Sequence, residues 1–496
     1  EGRTVIQWDK ESMEDAGLIK TDLLSLRTLG LVSDALYLAG LLQDHLTRVG
    51  LDDPALYEMM QRGDTIGAFQ IESRAQMQML PRLKPRRFED ITIEVAIVRP
   101  GPIQGGAVHP YLRRRTGEEP VRYLHPCLEP ALAETLGVMI FQEQTIRVAV
   151  AASDFTPGEA DTLRRALSRG EVDEALRERF LRGALRKGIA PEVAAEIFAQ
   201  VAGFAGFGFN KSHAASFALI TYQTMWLKRY QPLAFYCALL NNQPIGFYPA
   251  EVILGEAKRH GIPIHGADVN ASRGRYRIEA GGIRLSLAEV KGLGPEYIAR
   301  IEAGQPFASL DDLHVRAGLP RPLIADLIRA GACDAFGERR ALLWALGDTR
   351  DNSAELPLDL PASPVPVAPL PAAQATLWEY ELTGMSASTQ IVSHHRARLT
   401  RQGCVTAAQA RSLRAGTRVR IGGLIAVRQR PGTAGGVMFL SLEDESGLVD
   451  VVLKPETYQR ARKLLTTHKL VVVSAVVQRN GEAVSFLAST VEAMEG

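Results

Sequence analysis

The pattern that most restricts the fold lies near the end of the chain, from residue 418 to residue 489. Short runs in which apolar and polar residues alternate are separated there by glycine-rich turns, which is typical of β-strands. A single stretch of helical character, Pro455 to Leu465, interrupts these runs. Five short strands with a helix between the third and the fourth predict a small closed barrel of the OB type.

The part of the chain before the barrel follows a different pattern. From residue 31 to residue 275 the spacing of apolar residues is mostly helical, with glycine-rich interruptions at 99–106 and 203–213. A run with many prolines, 356–373, favours an extended tether because proline disrupts both helices and sheets. At 496 residues the chain is too long for one ordinary core. We therefore predict a multidomain α+β protein with a large, mostly helical region.

Composition excludes some classes of protein and leaves others open. The net charge of +1 gives no overall electrostatic argument for nucleic acid, so such an argument must depend on local clusters. The four cysteines are widely separated and form no CxxC pair, so we expect no structural zinc and a reduced, cytoplasmic protein. The most apolar stretch, 216–227, is too short to span a bilayer, so we expect no membrane partner. The chain begins without an initiator methionine, which is compatible with a piece of a longer polypeptide.

Two clusters of basic residues are candidates for contacts with phosphate. The segment 72–115 carries nine basic residues against four acidic ones, which predicts a surface for the DNA backbone, with Arg113, Arg114 and Arg115 as its main candidates. The alternative for this segment is a solvated face with internal ion pairs. In the second cluster Arg164 and Arg165 lie side by side on a predicted helix, and guanidinium groups suit a nucleotide triphosphate.

The segment 203–213, GFAGFGFNKSH, is a candidate phosphate site at the start of a helix. Asn210 or Ser212 can cap this helix, which places Lys211 and His213 at its positive end. The segment is no Walker loop, because Asn210 stands where that motif has glycine. A structural loop packed through its glycine and phenylalanine residues is the alternative.

A further short segment, KGLGPEYIARI at 291–301, resembles a helix-hairpin-helix motif. Lys291, Gly292 and Gly294 would form a turn whose backbone amides face a DNA phosphate. Contacts of this kind hold the backbone and carry no base sequence information.

Asp22 is the carboxylate that we select as a catalytic candidate. The alternation around it predicts a strand with Ile19, Thr21 and Leu23 on one face and Lys20 and Asp22 on the other. Phosphoryl transfer by two metal ions needs carboxylate ligands, and Lys20 is placed to neutralise phosphate charge. The alternative for Asp22 is a solvated surface residue.

Seven segments, in the same order, give the chain a resemblance to a known family: GLIKTDLLSLRTLG, GAFQIESRAQMQML, VRPGPIQGG, GVMIFQEQTIRVA, GEADTLRRALS, GFAGFGFNKSHAASFALITYQTMWLK and LTGMS. The chain resembles the C-terminal half of the bacterial DNA polymerase III alpha-subunit family, and in particular its error-prone, damage-tolerant branch. The resemblance implies a palm remnant at 1–30, fingers at 31–275, a helix-hairpin-helix module at 276–350, a proline-rich linker at 351–376, and a connecting segment with an OB domain at 377–496.

The resemblance also implies roles for individual residues. Asp22 corresponds to the third metal-binding aspartate of the palm, and Lys20 to the neighbouring active-site lysine. Arg164 and Arg165 correspond to the fingers arginines that approach the incoming triphosphate. Lys211, Ser212 and His213 correspond to the fingers motif that lines the nucleotide pocket.

The function implied is DNA-directed DNA polymerisation, with primer-template DNA and deoxynucleoside triphosphates as the partners. The cofactors implied are two Mg²⁺ ions, whose other carboxylate ligands lie upstream of this chain. Error-prone synthesis in DNA damage tolerance is expected, with accessory proteins that connect the enzyme to a sliding clamp. Because one carboxylate cannot hold two ions, we expect the 496 residues to be inactive without the missing N-terminal part. A non-catalytic DNA-binding scaffold and one half of a split polymerase remain as alternatives.

Overall fold

The computed structural model describes residues 4–19, 21, 26–98, 108–169, 174–205, 208–348 and 367–494. Helices dominate up to residue 259, and the last part of the chain is a β-barrel. The predicted fold class, a multidomain α+β protein, is confirmed. No helix within the described ranges combines the length and the apolar character needed to cross a bilayer.

The region from residue 27 to residue 259, which we call the helical body, is built from helices that share several cores. Their bounds are α2 Arg27–Leu38, α3 Pro54–Gln61, α4 Arg74–Leu83, α5 Phe88–Ile97, α6 Val108–Thr116, α7 Glu129–Leu132, α8 Gln142–Ala152, α9 Pro157–Arg169, α10 Glu174–Arg186, α11 Pro191–Ala205, α12 Lys211–Tyr230, α13 Pro232–Asn241 and α14 Ala250–Arg259, after a short α1 at Lys10–Asp15. The 20-residue α12 is the longest of these helices, and it packs against α2, α3, α5 and α13.

The helical body continues into a small sheet and four further helices. Strand β3 (Gly282–Arg284) lies between β1 (Ile264–His265) and β2 (Arg277–Glu279). The helices are α15 Pro295–Gly304, α16 Leu310–Ala317, α17 Arg321–Arg329 and α18 Arg339–Asp348. Their buried residues, such as Ile301, Leu313 and Leu327, belong to the same core as Leu31 and Phe235 of the helical body. This module is therefore packed against the helical body.

The chain reaches the barrel through α19 (Ala372–Thr383), α20 (Arg396–Arg401), β4 (Cys404–Val405) and α21 (Ala407–Ser412). The barrel consists of β5 Arg418–Gln429, β6 Met438–Asp444, β7 Gly447–Leu453, α22 Pro455–Thr467, β8 Leu470–Asn480 and β9 Ala483–Ala493. Antiparallel pairing of β5 with β8 and parallel pairing of β7 with β9 close the sheet. Five strands with a helix between the third and the fourth confirm the OB-type barrel that alternation predicts.

The strand expected around Asp22 is not found in the described part of that segment. Leu18, Ile19 and Thr21 have irregular structure, and the Ile19 side chain is 90% exposed. Alternation predicts a strand only where another strand is available to pair with its backbone, and these three residues have no such neighbour among the described residues. Lys20 and Asp22 themselves lie outside the described residues, as do positions 351–366 of the proposed linker.

Candidate nucleotide and nucleic-acid interface

The start of α12 brings several of the predicted nucleotide-binding residues together. Asn210 caps the helix by accepting a hydrogen bond from the backbone N–H of His213 at 2.9 Å, as the sequence predicts. The Glu143 carboxylate accepts from the backbone N–H of Lys211 at 3.1 and 3.0 Å. A carboxylate therefore already lies at the positive end of α12, where an anion is favoured.

The side chains around this helix start combine charge with aromatic packing. The Lys211 ammonium pairs with the Glu134 carboxylate and lies 5.7 Å from the centre of the Phe141 ring. The His213 ring packs between Phe209 and Phe217, at centroid distances of 5.1 and 4.0 Å. Ser212 is exposed. The segment is thus a packed aromatic loop whose helix start is occupied by a carboxylate of the chain itself, and its assignment to phosphate stays a prediction.

Arg164 and Arg165 lie on α9, and both pair with Asp161 of the same helix. Their guanidinium nitrogens are 2.9 and 2.8 Å from the two Asp161 oxygens. The hydrogen bond from Arg164, together with the charges of both arginines, holds the pKa of Asp161 below its usual value. Arg165 is the more accessible, with 67% of its side chain exposed against 20% for Arg164.

Helix α8 connects these two groups of residues. Its first turn carries Glu143, which contacts the start of α12, and Phe141 just before it forms a bridge with Phe209. Its apolar face shares a core with α9 through Val148 and Leu163. The structure therefore places the α12 start and the α9 arginines on two elements that flank one helix.

The three arginines of α6 also have carboxylate partners. Arg113 and Arg114 share Glu119, with nitrogen–oxygen distances of 2.9 and 3.0 Å. Arg115 binds both oxygens of Asp90, at 2.8 and 2.7 Å, and Asp90 is only 1% exposed. The fork geometry around a buried carboxylate makes Arg115 a structural residue of the helical body. The assignment of Arg113, Arg114 and Arg115 to DNA binding stays a prediction.

The turn before α15 contains a glycine with a left-handed backbone conformation. Gly292 has a φ of +81°, in the region that favours glycine, and Gly294 is the N-cap residue of α15. The backbone N–H of Lys291 donates to the carbonyl of Leu382 at 2.9 Å, and its ammonium contacts the carbonyl of Glu381. Lys291 and Gly292 are exposed, so the turn is accessible to a ligand.

A carboxylate–histidine group that the sequence analysis missed lies between α12 and α14. Ligand atoms of Asp64, Glu256 and His260 lie within 4.8 Å of one another. The buried Lys228 ammonium lies between these groups, 2.7 Å from Asp64 and 3.4 Å from Glu256. The lysine occupies the position that a metal ion would need, so these residues do not fit a magnesium site. In the sequence, the only indication of this group of residues is the spacing of Glu256 and His260, which lie one helical turn apart.

The charges in this group of residues shift the pKa values of His260 and Glu256. Hydrogen bonds with Asp64 and Glu256 raise the pKa of His260 to about 9. Burial alone would raise the pKa of Glu256, but the hydrogen bond from His260 and the charges of Lys228 and Arg259 lower it instead. The group is therefore an internal ion network at neutral pH.

Comparisons with known proteins assign three parts of the chain to families. The bacterial DNA polymerase III alpha subunit finger domain matches residues 37–188, which include Arg164 and Arg165. A helix-hairpin-helix motif matches residues 261–343, which include Lys291 and Gly292. An OB-fold nucleic acid binding domain matches residues 419–493.

Curated relatives match almost the whole chain. The error-prone DNA polymerase of Nocardia farcinica is 43% identical over 98% of this chain and 45% of its own length. The error-prone DNA polymerase of Pseudomonas aeruginosa is 42% identical over 97% of this chain and 48% of its own length. The chain thus spans slightly less than half the length of these relatives.

Proposed function

We propose that this chain, which belongs to the bacterial DNA polymerase III alpha-subunit family, supplies the fingers and the DNA-holding modules of an error-prone DNA-directed DNA polymerase. The observation that carries the proposal is the match of 98% of the chain to error-prone DNA polymerases at 43% identity. The complete enzyme would add deoxynucleotides to a primer 3′-hydroxyl and release pyrophosphate, in DNA damage tolerance.

The fingers residues would bind the triphosphate of the incoming nucleotide. Arg164, Arg165 and Lys211 carry the positive charge, and in the structure Asp161 and Glu134 hold it in place. An incoming triphosphate would replace these carboxylates as the partner of the same cations. Because the arginine side chains are already oriented, less conformational entropy is lost when the nucleotide binds.

Asp22 would be one carboxylate ligand of two Mg²⁺ ions, with Lys20 beside it, and the remaining ligands would come from polypeptide outside this chain. The ions would supply charge stabilisation at the attacking and leaving oxygens. Asp64, Glu256 and His260 take no part in this proposal, because Lys228 and Arg259 already pair with the two carboxylates.

The remaining modules would hold DNA and connect the enzyme to its partners. The exposed turn at Lys291, Gly292 and Gly294 would bind the backbone of duplex primer-template. Accessory proteins would link the enzyme to a sliding clamp in the cytoplasm.

Substitution of Asp22 in the complete, longer enzyme tests the catalytic assignment. Asp22→Asn keeps the shape of the side chain and removes its charge, so we expect primer extension with Mg²⁺ to fall at least about a hundredfold. Asp15→Asn, at an exposed aspartate of the same segment, is the matched control and should extend primers like the parent.

The 496-residue chain by itself provides the second arm of the test. We expect it to bind primer-template DNA and to extend no primer. Extension by this chain alone would contradict the prediction that the other metal ligands lie outside it. Normal extension by the complete Asp22→Asn enzyme would contradict the role of Asp22. Normal extension by the variant would favour the scaffold alternative for this part of the protein.

A further inference from the structure

The cations proposed for the triphosphate lie on two helices that belong to different cores. Arg164 and Arg165 lie on α9, which packs against α8 in one core. Lys211 begins α12, whose buried residues belong to other cores, together with residues of α3 and α5. The contacts that join α8 to α12 therefore bear on the distance between the arginines and the lysine.

The starts of α8 and α12 are joined through their backbones. The backbone N–H of Gln142 donates to the carbonyl of Phe209 at 2.9 Å, and Phe209 forms a parallel bridge with Phe141. Phe141 is buried in the same core as Ala214 of α12. The two helix starts therefore lie side by side, so that a side chain of one can reach the backbone of the other.

Glu143 is the side chain that spans the two helix starts. It lies in the first turn of α8, and its two carboxylate oxygens lie 3.1 and 3.0 Å from the backbone nitrogen of Lys211. One carboxylate thus lies at the positive ends of two helices, where a negative charge is stabilised. A hydrogen bond with an ionised acceptor is roughly twice as strong as a neutral one. Glu143 therefore fixes the start of α12 to α8.

Glu134 holds the other end of Lys211, and its contact is of a different kind. Its carboxylate pairs with the Lys211 ammonium and lies 3.8 Å from a guanidinium nitrogen of Arg147 of α8. The Lys211 side chain is 38% exposed, so it can turn from Glu134 to a phosphate by rotation about its own bonds. Its backbone N–H cannot turn away from Glu143 unless the first turn of α12 unwinds. The Glu143 contact is therefore the one that remains when the ammonium changes its partner.

The other capping contact at this helix start leads to the same conclusion. Asn210 accepts a hydrogen bond from the backbone N–H of His213 at 2.9 Å. With the N–H of Lys211 held by Glu143, the chain's own side chains bind two of the backbone donors that a phosphate at a helix start would use. A phosphate at this place would therefore be bound by the Lys211 ammonium, whose position depends on the start of α12.

We propose that Glu143 is a positioning residue of the nucleotide site: it holds the start of α12 against α8 and so fixes the place of the Lys211 ammonium relative to the arginines of α9. The inference rests on the proposed polymerase function, in which these cations bind the triphosphate of the incoming deoxynucleotide. Without Glu143 the ammonium keeps its charge but loses its fixed place, so the nucleotide is bound more weakly.

Steady-state primer extension by the complete, longer enzyme tests the proposal, with KM and kcat for a deoxynucleotide as the readouts. Glu143→Ala removes the contact with α12 and places a strong helix former in α8. We expect KM to rise about tenfold while kcat stays within about threefold of the parent, because the lost interaction already holds the nucleotide in the ground state. Glu143→Gln keeps an oxygen that can accept from the Lys211 N–H, so KM should rise less than in Glu143→Ala.

Combination with Lys211→Met separates positioning from a general loss of stability. Lys211→Met removes the ammonium and should itself raise KM. Because Glu143 acts through that ammonium, Glu143→Ala should raise KM by less than about twofold further in the Lys211→Met background. The same rise in both backgrounds would mean that Glu143 acts elsewhere, and it would overturn the proposal. If thermal unfolding shows that Glu143→Ala does not fold, Glu143→Gln takes its place in this comparison under the same criterion.

Glu192→Ala is the matched control, because Glu192 is an exposed glutamate in the first turn of another helix, α11. It removes the same charge from a helix start and should leave KM within about twofold of the parent. An equal rise of KM in Glu192→Ala and Glu143→Ala would assign the effect to the loss of acidic charge, against the proposal.

Three further results distinguish the ways in which the proposal can fail. Parent-like KM in Glu143→Ala would mean that α12 keeps its place without this carboxylate. A lower KM in Glu143→Ala would mean that Glu143 competes with phosphate for the start of α12. A KM in Glu143→Gln as high as in Glu143→Ala would mean that charge matters and the contact does not. Each of these outcomes overturns the proposal and leaves the proposed function intact, whereas a complete parent enzyme that extends no primer removes the proposed function itself.

Discussion

The basic residues of the helical body differ in their contacts from the basic residues beside α22 of the barrel. In the helical body Lys228, Arg115, Arg164 and Lys211 each contact a carboxylate. Beside α22, Arg430 and Arg462 are exposed, and Arg430 packs on the Tyr458 ring. A paired cation must lose its carboxylate before it binds phosphate, whereas an unpaired cation loses only water. Basic residues in a sequence therefore do not by themselves locate a binding surface.

Removal of Lys228 should give the largest effect on stability, because its ammonium is the buried centre of the ion network. In Lys228→Met the Asp64 carboxylate loses its closest cation and the Glu256 carboxylate loses one of its cations, while both stay largely buried. We expect the free energy of unfolding to fall by about 3–5 kcal/mol, measured by urea denaturation.

Arg48→Ala is the control for this first prediction, because the Arg48–Asp44 pair has 69% and 53% of its side chains exposed. We expect a loss of no more than about 1 kcal/mol there. Equal losses in the two variants would remove the distinction between buried and exposed pairs.

The pH dependence of stability gives the next largest effect. The pKa of His260 is raised from 6.5 to about 9, so folding favours the protonated ring. Its contribution is complete below pH 6.5 and is lost as the pH rises through 9, on the order of 2 kcal/mol in all. The urea concentration at the midpoint of unfolding should therefore decrease as the pH rises from 6.5 to 9.

His260→Gln should flatten this part of the pH profile, because glutamine has no charge to lose. The quantity compared is the slope of the free energy of unfolding against pH in the parent and in the variant, and not the absolute stability of either protein. A parent-like slope in the variant would show that another group titrates over this range.

Local structure was predictable from the sequence where a pattern repeats or a cap is explicit. The alternation from residue 418 predicted the barrel, and the helix expected from Pro455 to Leu465 runs from Pro455 to Thr467. Asn210 caps α12 as predicted, because an asparagine before a helix can satisfy a free backbone N–H. Such features depend on neighbouring residues only.

Long-range pairing was not predictable in the same way. Arg115 and Asp90 are separated by 25 positions, and Lys228 and Asp64 by 164, so no local pattern links them. The contact of Gln78 with Asp450 spans 372 positions and depends on how the barrel docks. Asp22, the predicted catalytic residue, lies outside the described residues, so its role stays a prediction.

The smallest effect on stability is expected on α22 of the barrel, where Arg462→Gln should change the free energy of unfolding by less than about 0.5 kcal/mol. The Arg462 side chain is exposed and pairs with no carboxylate in the described part of the chain, so its removal leaves no buried group unsatisfied. Urea denaturation of this variant beside Lys228→Met measures both ends of the comparison under the same conditions. A loss above about 1 kcal/mol would mean that Arg462 helps to hold the barrel together. The contrast between cations that maintain the fold and cations available for a ligand would then fail at the residue where it is sharpest.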